Sequence, residues 1–267
     1  MTTNDQTASP SIAMVNWVAF KTLVTKEIRR FMRIWVQTIV PPAVSAVLYM
    51  MIFGKLIGDR IGVMDGHSYI NFVVPGIIMM AIITNSYSNA VSSFFGAKFQ
   101  NHIEEMLIAP VYNWVILAGF VVGGVCRGLC VGALVAAVSL FFTRIPVENP
   151  VITIVVVLLT STLFAIGGVI NSVFAKSFDD ISIIPNFVLT PLTYLGGIFY
   201  SVTLLPEFWY KVSFINPVLY MVNGFRHGIL GSSDLPIWWS FFVIVVFILI
   251  LAAIALHLMN KGVGIKS

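Results

Sequence analysis

Charge is what this sequence has least of. Of 267 residues only 10% are Asp, Glu, Lys or Arg, while 58% are hydrophobic and the mean hydropathy is +0.96. A soluble domain carries about a quarter charged residues to keep its surface hydrated, so this composition excludes a water-soluble globule. Cysteine is scarce too: Cys126 and Cys130 are the only two, four apart inside one apolar stretch. They are too few for a metal site, and helical i, i+4 positions make a poor disulfide, so both read as small packing residues. Also missing are a G-x-x-x-x-G-K-[ST] phosphate loop, an H-E-x-x-H pair, a G-x-S-x-G elbow and any His, Cys and carboxylate cluster at metal spacing. Each is the signature of a hydrolytic chemistry, so the expectation is a chain that is not an enzyme and holds no cofactor of its own.

What is present are long apolar runs. A bilayer core is spanned by roughly 20 helical residues, and charge-free stretches of that order lie near 35–57, 70–95, 114–142, 151–175, 182–201 and 236–259. The fold class expected is therefore all-α and integral to the membrane, one domain of six spans over 1–267, with both termini on the same side. Residues 1–10 are polar and show no signal-peptide pattern, so the amino end is expected to stay uncleaved. Of the 15 Lys and Arg, nine fall on the side of the termini and five on the other, with Arg127 left inside a span; that bias places the termini in the cytoplasm. The same scatter along span ends, rather than in one patch, argues against nucleic acid as a partner.

Two segments do not span. From 12 to 33, Val24, Ile28, Phe31 and Trp35 recur at helical spacing while Lys26, Arg29, Arg30 and Arg33 fill the rest of the circle. That pattern suits a helix lying in the interface of the inner leaflet; the plainer reading is a set of cations anchoring the first span. Between the last two spans, the run Val212 to Phe225 is too short to cross and is interrupted at Asn216-Pro217 and Gly224. We expect a re-entrant segment over 206–226 that dips in and returns on the outer side.

Charged and polar residues inside spans are the candidates for function. Arg127 is near the middle of the third span, where its charge costs about 2.5–3.5 kcal/mol unless it is solvated or paired. It contacts either an anionic substrate and a wet path, or helix-end carbonyls and buried Asn side chains. Gly119 and Gly123, then Gly124, Gly128 and Gly132, form two small-x-x-x-small ladders expected to seat helices of the same chain. The second span has one polar stripe, Asn85, Asn89, Ser92 and Gly96 beside Ser88, which reads as a pathway wall or as interhelical hydrogen bonding. Pro185, Pro191, Gly196 and Gly197 predict breaks in the fifth span. Tyr194, Phe199 and Tyr200 belong to an outer aromatic cluster, read as an interfacial belt or as an aromatic gate. No carboxylate is expected mid-span; Glu27 is counted with the solvated inner-side acids. The loop 97–113 interleaves Phe99, Ile103 and Met106 with Glu104 and Glu105 and ends at Pro110, as a short amphipathic helix that docks on the membrane or on a partner protein.

The interfacial first helix, six spans, the E-E-M-L-I-A-P-V loop from Glu104 to Val111 and the re-entrant outer segment together resemble the ABC-2 type permeases of ATP-binding-cassette transporters. The runs F-M-R-I-W-V-Q-T, S-S-F-F-G-A-K-F-Q, F-D-D-I-S and L-T-P-L-T-Y-L-G-G-I-F-Y resemble most of all the YadH-type bacterial inner-membrane permeases, over about Trp17 to Ser267. The resemblance implies a homodimer in the bacterial inner membrane, paired with two copies of a separate ATPase subunit that binds ATP and Mg and drives export. It makes Phe99, His102, Ile103, Glu104, Glu105 and Met106 a coupling helix seated in that ATPase, with Arg29 and Arg30 on a connecting helix bearing on the same partner. The path would be lined by Asn85, Asn89, Arg127, Tyr194, Phe199 and Tyr200. Two other classes compete: an ion-coupled secondary carrier, disfavoured by the lack of mid-span acids, and a membrane transferase acting on lipids, for which no catalytic cluster is found.

Overall fold

In lipid every backbone amide must find its partner within its own segment, so long apolar runs fold as long helices. The computed structural model, which describes residues 11–264, is almost entirely helical. In chain order its helices are α1 (Ile12–Arg33), α2 (Trp35–Tyr49), α3 (Gly58–Ile61), α4 (Tyr69–Phe99), α5 (His102–Ile108), α6 (Asn113–Ser139), α7 (Pro150–Phe174), α8 (Asp180–Ile184), α9 (Thr190–Tyr194), α10 (Glu207–Ser213), α11 (Pro217–Leu230) and α12 (Ile237–Lys261). π-helical stretches join α2 to α3 (Met50–Ile57) and α8 to α9 (Pro185–Leu189). One hairpin, β1 (Val63–Met64) with β2 (His67–Ser68), precedes α4. Its turn residues Asp65 and Gly66 both have positive φ, as an Asp-Gly type I′ turn requires.

Five of the described helical segments are long and apolar enough to cross a bilayer: Trp35–Ile61, Tyr69–Phe99, Asn113–Ser139, Pro150–Phe174 and Ile237–Lys261. The expected fifth span is shorter than its sequence run. Residues 180–194 are helical with a π-helical middle, and the chain then turns at Gly196 and Gly197, whose φ of 73° ends the helix. Pro185 opens the π stretch and its carbonyl accepts from both the N–H and the Oγ1 of Thr190, five residues on, so the expected break is a local rewinding of the helix. Even so, this run travels from the α5 end of the bundle to the hairpin end, where Tyr69 of α4 donates to the Phe199 carbonyl.

α4 is the axis of the fold. It is buried on nearly every side and packs against α6, α7, α11 and α2. The two glycine ladders of α6 seat three helices of this chain, α1 on one and α4 and α7 on the other. A Cβ at Gly119 or Gly123 would meet Leu23 or Glu27 of α1 at 2.8 and 2.6 Å, and one at Gly124 or Gly132 would meet Ala165 of α7 or Ile82 of α4 at 2.8 and 2.6 Å. Gly128 leaves room for Ser86 of α4. Neighbouring backbones approach this closely only where a side chain is missing.

α1 differs from a helix resting free on the bilayer surface. Its contacts Asn16 to Tyr112, Leu23 to Gly119 and Glu27 to Gly123 keep the same spacing on both chains, so α1 runs parallel to the first half of α6. The buried stripe is Asn16, Leu23, Glu27 and Phe31: Phe31 is shared with the expected apolar stripe, Leu23 and Glu27 lie one position before the half-buried Val24 and Ile28, and Trp35 is exposed. This corrects the placing of Glu27 among solvated acids: its carboxylate is fully buried, in space that Gly123 leaves open.

The ends are tied by polar contacts. At the α5 end, Lys98 Nζ donates to the carbonyls of Val173 and Ala175 at 2.7 and 2.8 Å, capping α7, whose last carbonyls lack helical donors. At the hairpin end, Arg226 of α11 is buried, donates to the Gly197 carbonyl at 2.6 Å, lies 3.7 Å from the Phe72 ring centre and pairs with Asp234. α11 starts at the expected Asn216-Pro217 break, with the Asn216 side chain capping Val218 N–H, but runs straight through Gly224, which is packed on Val156 and Ser240.

The α6 ladder yields a direct test. Gly123→Val should lower the thermal midpoint of the detergent-solubilised chain, by about 1–3 kcal/mol of overpacking. Gly96→Ala, where a Cβ meets nothing within 4 Å, should leave it unchanged.

Candidate functional site

Three polar side chains on one face of α4, one turn apart, each hold a charged group from outside the helix. Ser93 Oγ donates to Glu27 Oε1 at 2.6 Å, Arg30 Nη2 donates to Asn89 Oδ1 at 2.9 Å and to its carbonyl at 3.1 Å, and Arg127 Nη2 donates to Asn85 Oδ1 at 3.2 Å. Glu27 and Arg30 are themselves 3.4 Å apart. Asn85 turns its Oδ1 to Arg127 because its Nδ2 is used on the Ala81 carbonyl. The rung nearest the α5 end is Ser93, whereas the sequence stripe passes through Ser92, which only returns a bond to the Asn89 carbonyl.

The last rung opens into a cavity of about 390 Å³ between α2, α4, α6 and α9. α2 supplies Gln37, Thr38, Ser45 and Tyr49, α4 supplies Thr84 and Asn85, and α9 supplies Thr190, Thr193 and Tyr194, with Arg127 as the one charged group among the described residues of its wall. Pro41 and Pro42 of α2 also line it; having no N–H, they strip the Gln37 and Thr38 carbonyls of their helical donors beside the cavity. Exposed Gln37, Pro41, Thr84 and Thr190 show that it opens to the surface of the chain.

Toward the hairpin end the cavity is closed by aromatic rings. Tyr49 and Tyr194 share a hydrogen bond of 3.0 Å, and Phe199 stacks on Phe53 with centroids 4.3 Å apart and lies 5.9 Å from both tyrosine rings. Of the six residues expected on the path, Asn85, Arg127 and Tyr194 line this cavity and Phe199 lies behind Tyr194. Asn89 is turned to Arg30, and Tyr200 faces a separate apolar pocket with Leu205, Trp209 and Ile215. The α2 side of the wall was not foreseen, although Gln37-Thr38 and Pro41-Pro42 inside an apolar run were its signal.

The coupling-loop residues gather at the opposite end. Asn101, with φ of 61°, turns the chain between α4 and α5. Ile103 is fully buried and Met106 half-buried against the bundle, which anchors α5, while His102 and Glu105 are exposed and Glu104 is half-buried. Phe99 is the last residue of α4 rather than part of α5, is 64% exposed and packs in tilted contact with Phe95 and Phe178. The most exposed apolar group here is Ile108, at 85%. Beside it, the 175–180 turn is held by Asp180, whose carboxyl is kept below the usual carboxylate range by N–H donation from Lys176 and hydrogen bonding to Ser177. Arg29 of α1 is exposed, whereas Arg30 is turned inward to Asn89.

The match to known families falls on this architecture. Residues 18–230 match the model of the ABC-2 type transporter family. The chain belongs to the ABC-2 type transporter family. It is 57% identical over 251 residues to the inner membrane transport permease YadH of Escherichia coli K12, covering 94% of this chain and 98% of that one. It is also 21% identical over 216 residues to nodulation protein J of Rhizobium leguminosarum bv. viciae, covering 80% and 83%, and 22% identical over 218 residues to nodulation protein J of Rhizobium meliloti, covering 81% and 82%. As an ABC-2 type transporter the chain is a multi-pass membrane transport protein.

The polar rungs can be probed singly. Asn89→Leu takes the Oδ1 acceptor from Arg30, which keeps the residue 89 carbonyl and Glu27, and should destabilise the chain by about 1–3 kcal/mol, read as a lower midpoint in thermal unfolding. Adding Arg30→Met should deepen that loss, because the fully buried Glu27 carboxylate then loses its ion pair.

Proposed function

We propose that this chain is the permease subunit of an ATP-binding-cassette exporter of the bacterial inner membrane, acting as a homodimer with two copies of a separate cytoplasmic ATPase subunit. The ATPase binds ATP and Mg; this chain supplies the path. Residues 180–194 complete six crossings with both termini in the cytoplasm, and α10 and α11 form the outer re-entrant cap. The reading is supported by family membership, by the near full-length match to a protein named as an inner membrane transport permease, and by the placing of a polar cavity and a protruding helix at different levels of one bundle.

α5 is the observation that carries the ATPase partner. A seven-residue helix, pinned by buried Ile103 and presenting His102, Glu105 and Ile108 outward, is built to enter a groove of another protein. Phe99 and Phe178 widen the contact on one side, and Arg29 of α1 lies on the same partner. Arg30 takes a different part: through Asn89 it ties α1 to α4, so displacement of α1 is felt one turn from the cavity.

An ion-coupled carrier has one observation in its favour, the buried carboxylate of Glu27. That carboxylate is already held by Arg30 and Ser93 and does not line the cavity, so the exporter reading is preferred. Reversing Glu104 and Glu105 to Lys should release the ATPase from membranes while the permease stays folded, seen by co-purification and by membrane ATP hydrolysis falling to background. An ATPase that stays attached to the double variant would sink the coupling assignment. Transport by proteoliposomes containing this chain alone would favour the carrier instead.

A further inference from the structure

Three guanidinium groups lie within the bundle, and two have a carboxylate. Arg30 has Glu27 at 3.4 Å and Arg226 has Asp234 at 3.7 Å. Arg127 has no ion pair among the described residues, and its sole bond to them is to a neutral amide; a buried, unpartnered Nε it shares with Arg30 and Arg226. A guanidinium has five N–H donors, so most of its capacity is unspent, and it faces a cavity whose other polar groups are amides and hydroxyls. Among the described residues no Asp or Glu lines that cavity. The fold therefore supplies counter-charge at two of its interior cations and leaves it out at the one that faces open space.

The walls beside Arg127 are divided. Ile77, Met80, Ala46 and Ala81 make one side apolar, and the opening is flanked by the exposed apolar face of α2 at Val44 and Leu48. A small aqueous anion has no use for such walls, whereas a molecule with an anionic head and an apolar body satisfies both. Resting on the exporter reading, we infer that the cargo is an amphipathic organic anion whose phosphate or carboxylate pairs with Arg127 while its apolar part lies along α2. Asn85, which holds the guanidinium with its Oδ1, is the positioning residue of that site, and Thr84, Thr190 and Thr193 are its neutral hydrogen-bonding partners. The paired tyrosines Tyr49 and Tyr194 then close over the bound head on the hairpin side.

The test needs only this chain, in nanodiscs of phosphatidylcholine, with four probes: dihexanoyl phosphatidic acid, dihexanoyl phosphatidylcholine, dihexanoyl glycerol and inorganic phosphate. The phosphatidic acid should bind saturably and at least about tenfold more tightly than the other three, the worth of one charge-assisted contact. Arg127→Gln should abolish that preference and Arg127→Lys should keep part of it. Because an altered Arg127 can disturb folding, the second variant is Asn85→Asp, which places a carboxylate on the guanidinium. It should melt at or above the parent temperature yet weaken the phosphatidic acid by about tenfold, since the counter-ion is now built in. Equal binding of the neutral and anionic lipids, or unchanged anion binding in Asn85→Asp, would overturn the inference. Inorganic phosphate binding as well as the lipid would overturn the amphipath. Neither measurement involves the ATPase, so an anion site that fails while the ATPase still docks through α5 sinks this inference alone. An ATPase that never docks sinks the exporter reading instead.

Discussion

Everything in this bundle is arranged around the burial of charge against α4. A lone arginine in the apolar interior costs about 2.5–3.5 kcal/mol on insertion scales, and here two arginines and a glutamate are held within two turns of one helix face. Burying an ion is tolerable when it is paired or hydrogen-bonded, and Asn89 and Ser93 hold the Arg30–Glu27 pair on this face, while Asn85 meets Arg127 with a single bond. The remaining contacts answer that demand. Gly123 lacks a side chain so that Glu27 can reach Ser93, and Leu23 on Gly119 holds α1 in the register that brings Glu27 and Arg30 to their rungs. Stability and the position of the cavity thus share one cause.

How much of this was legible depended on the range of the interaction. Five of the six apolar runs became helical segments close to their expected limits, because length and lack of charge are local properties. The run 182–201 was harder to read: its prolines and glycines signalled breaks at 185, 191, 196 and 197, but which of them rewinds the helix and which ends it shows only in the π stretch at Pro185 and the positive φ at Gly197. The Asp65-Gly66 hairpin had a clear local signal that apolar counting passes over. At Leu23 and Glu27 the α1 stripe was displaced by one position because a glutamate scores as polar. Its burial depends on Gly123 and Ser93, 96 and 66 residues away in numbering, which no periodicity reports.

For the candidate site the pattern is similar. Arg127 stood out alone, since a charge within a span is visible in any window, and Asn85 came with its stripe. Their meeting, and the turning of Asn89 to a different arginine, needed the packing of α1 and α6 on opposite parts of the same face. Phe199 and Tyr200 are adjacent in the chain yet face different compartments, because the turn after Gly197 points successive side chains apart. At the α5 end, Ile103 and Ile108 look alike in sequence, and only burial tells the anchor from the outward contact.

The two glycine faces of α6 have a mechanical consequence. A helix whose neighbours already touch its bare backbone on both sides cannot slide by a residue without driving a side chain into one of them, so α6 with α1 and α4 forms the stator of the molecule. Whatever moves must be elsewhere, and the two other walls of the cavity, α2 and the run through α8 and α9, are the ones that contain π-helical turns. A π turn stores one residue more than an α turn. Rewinding it would lengthen the helix by about 1.5 Å for each residue released and rotate the helix beyond it by roughly a quarter turn. Tyr49 directly precedes one of those stretches and Tyr194 ends the short helix α9 that follows the other, so the closure over the cavity is fastened to the coiled springs in its walls.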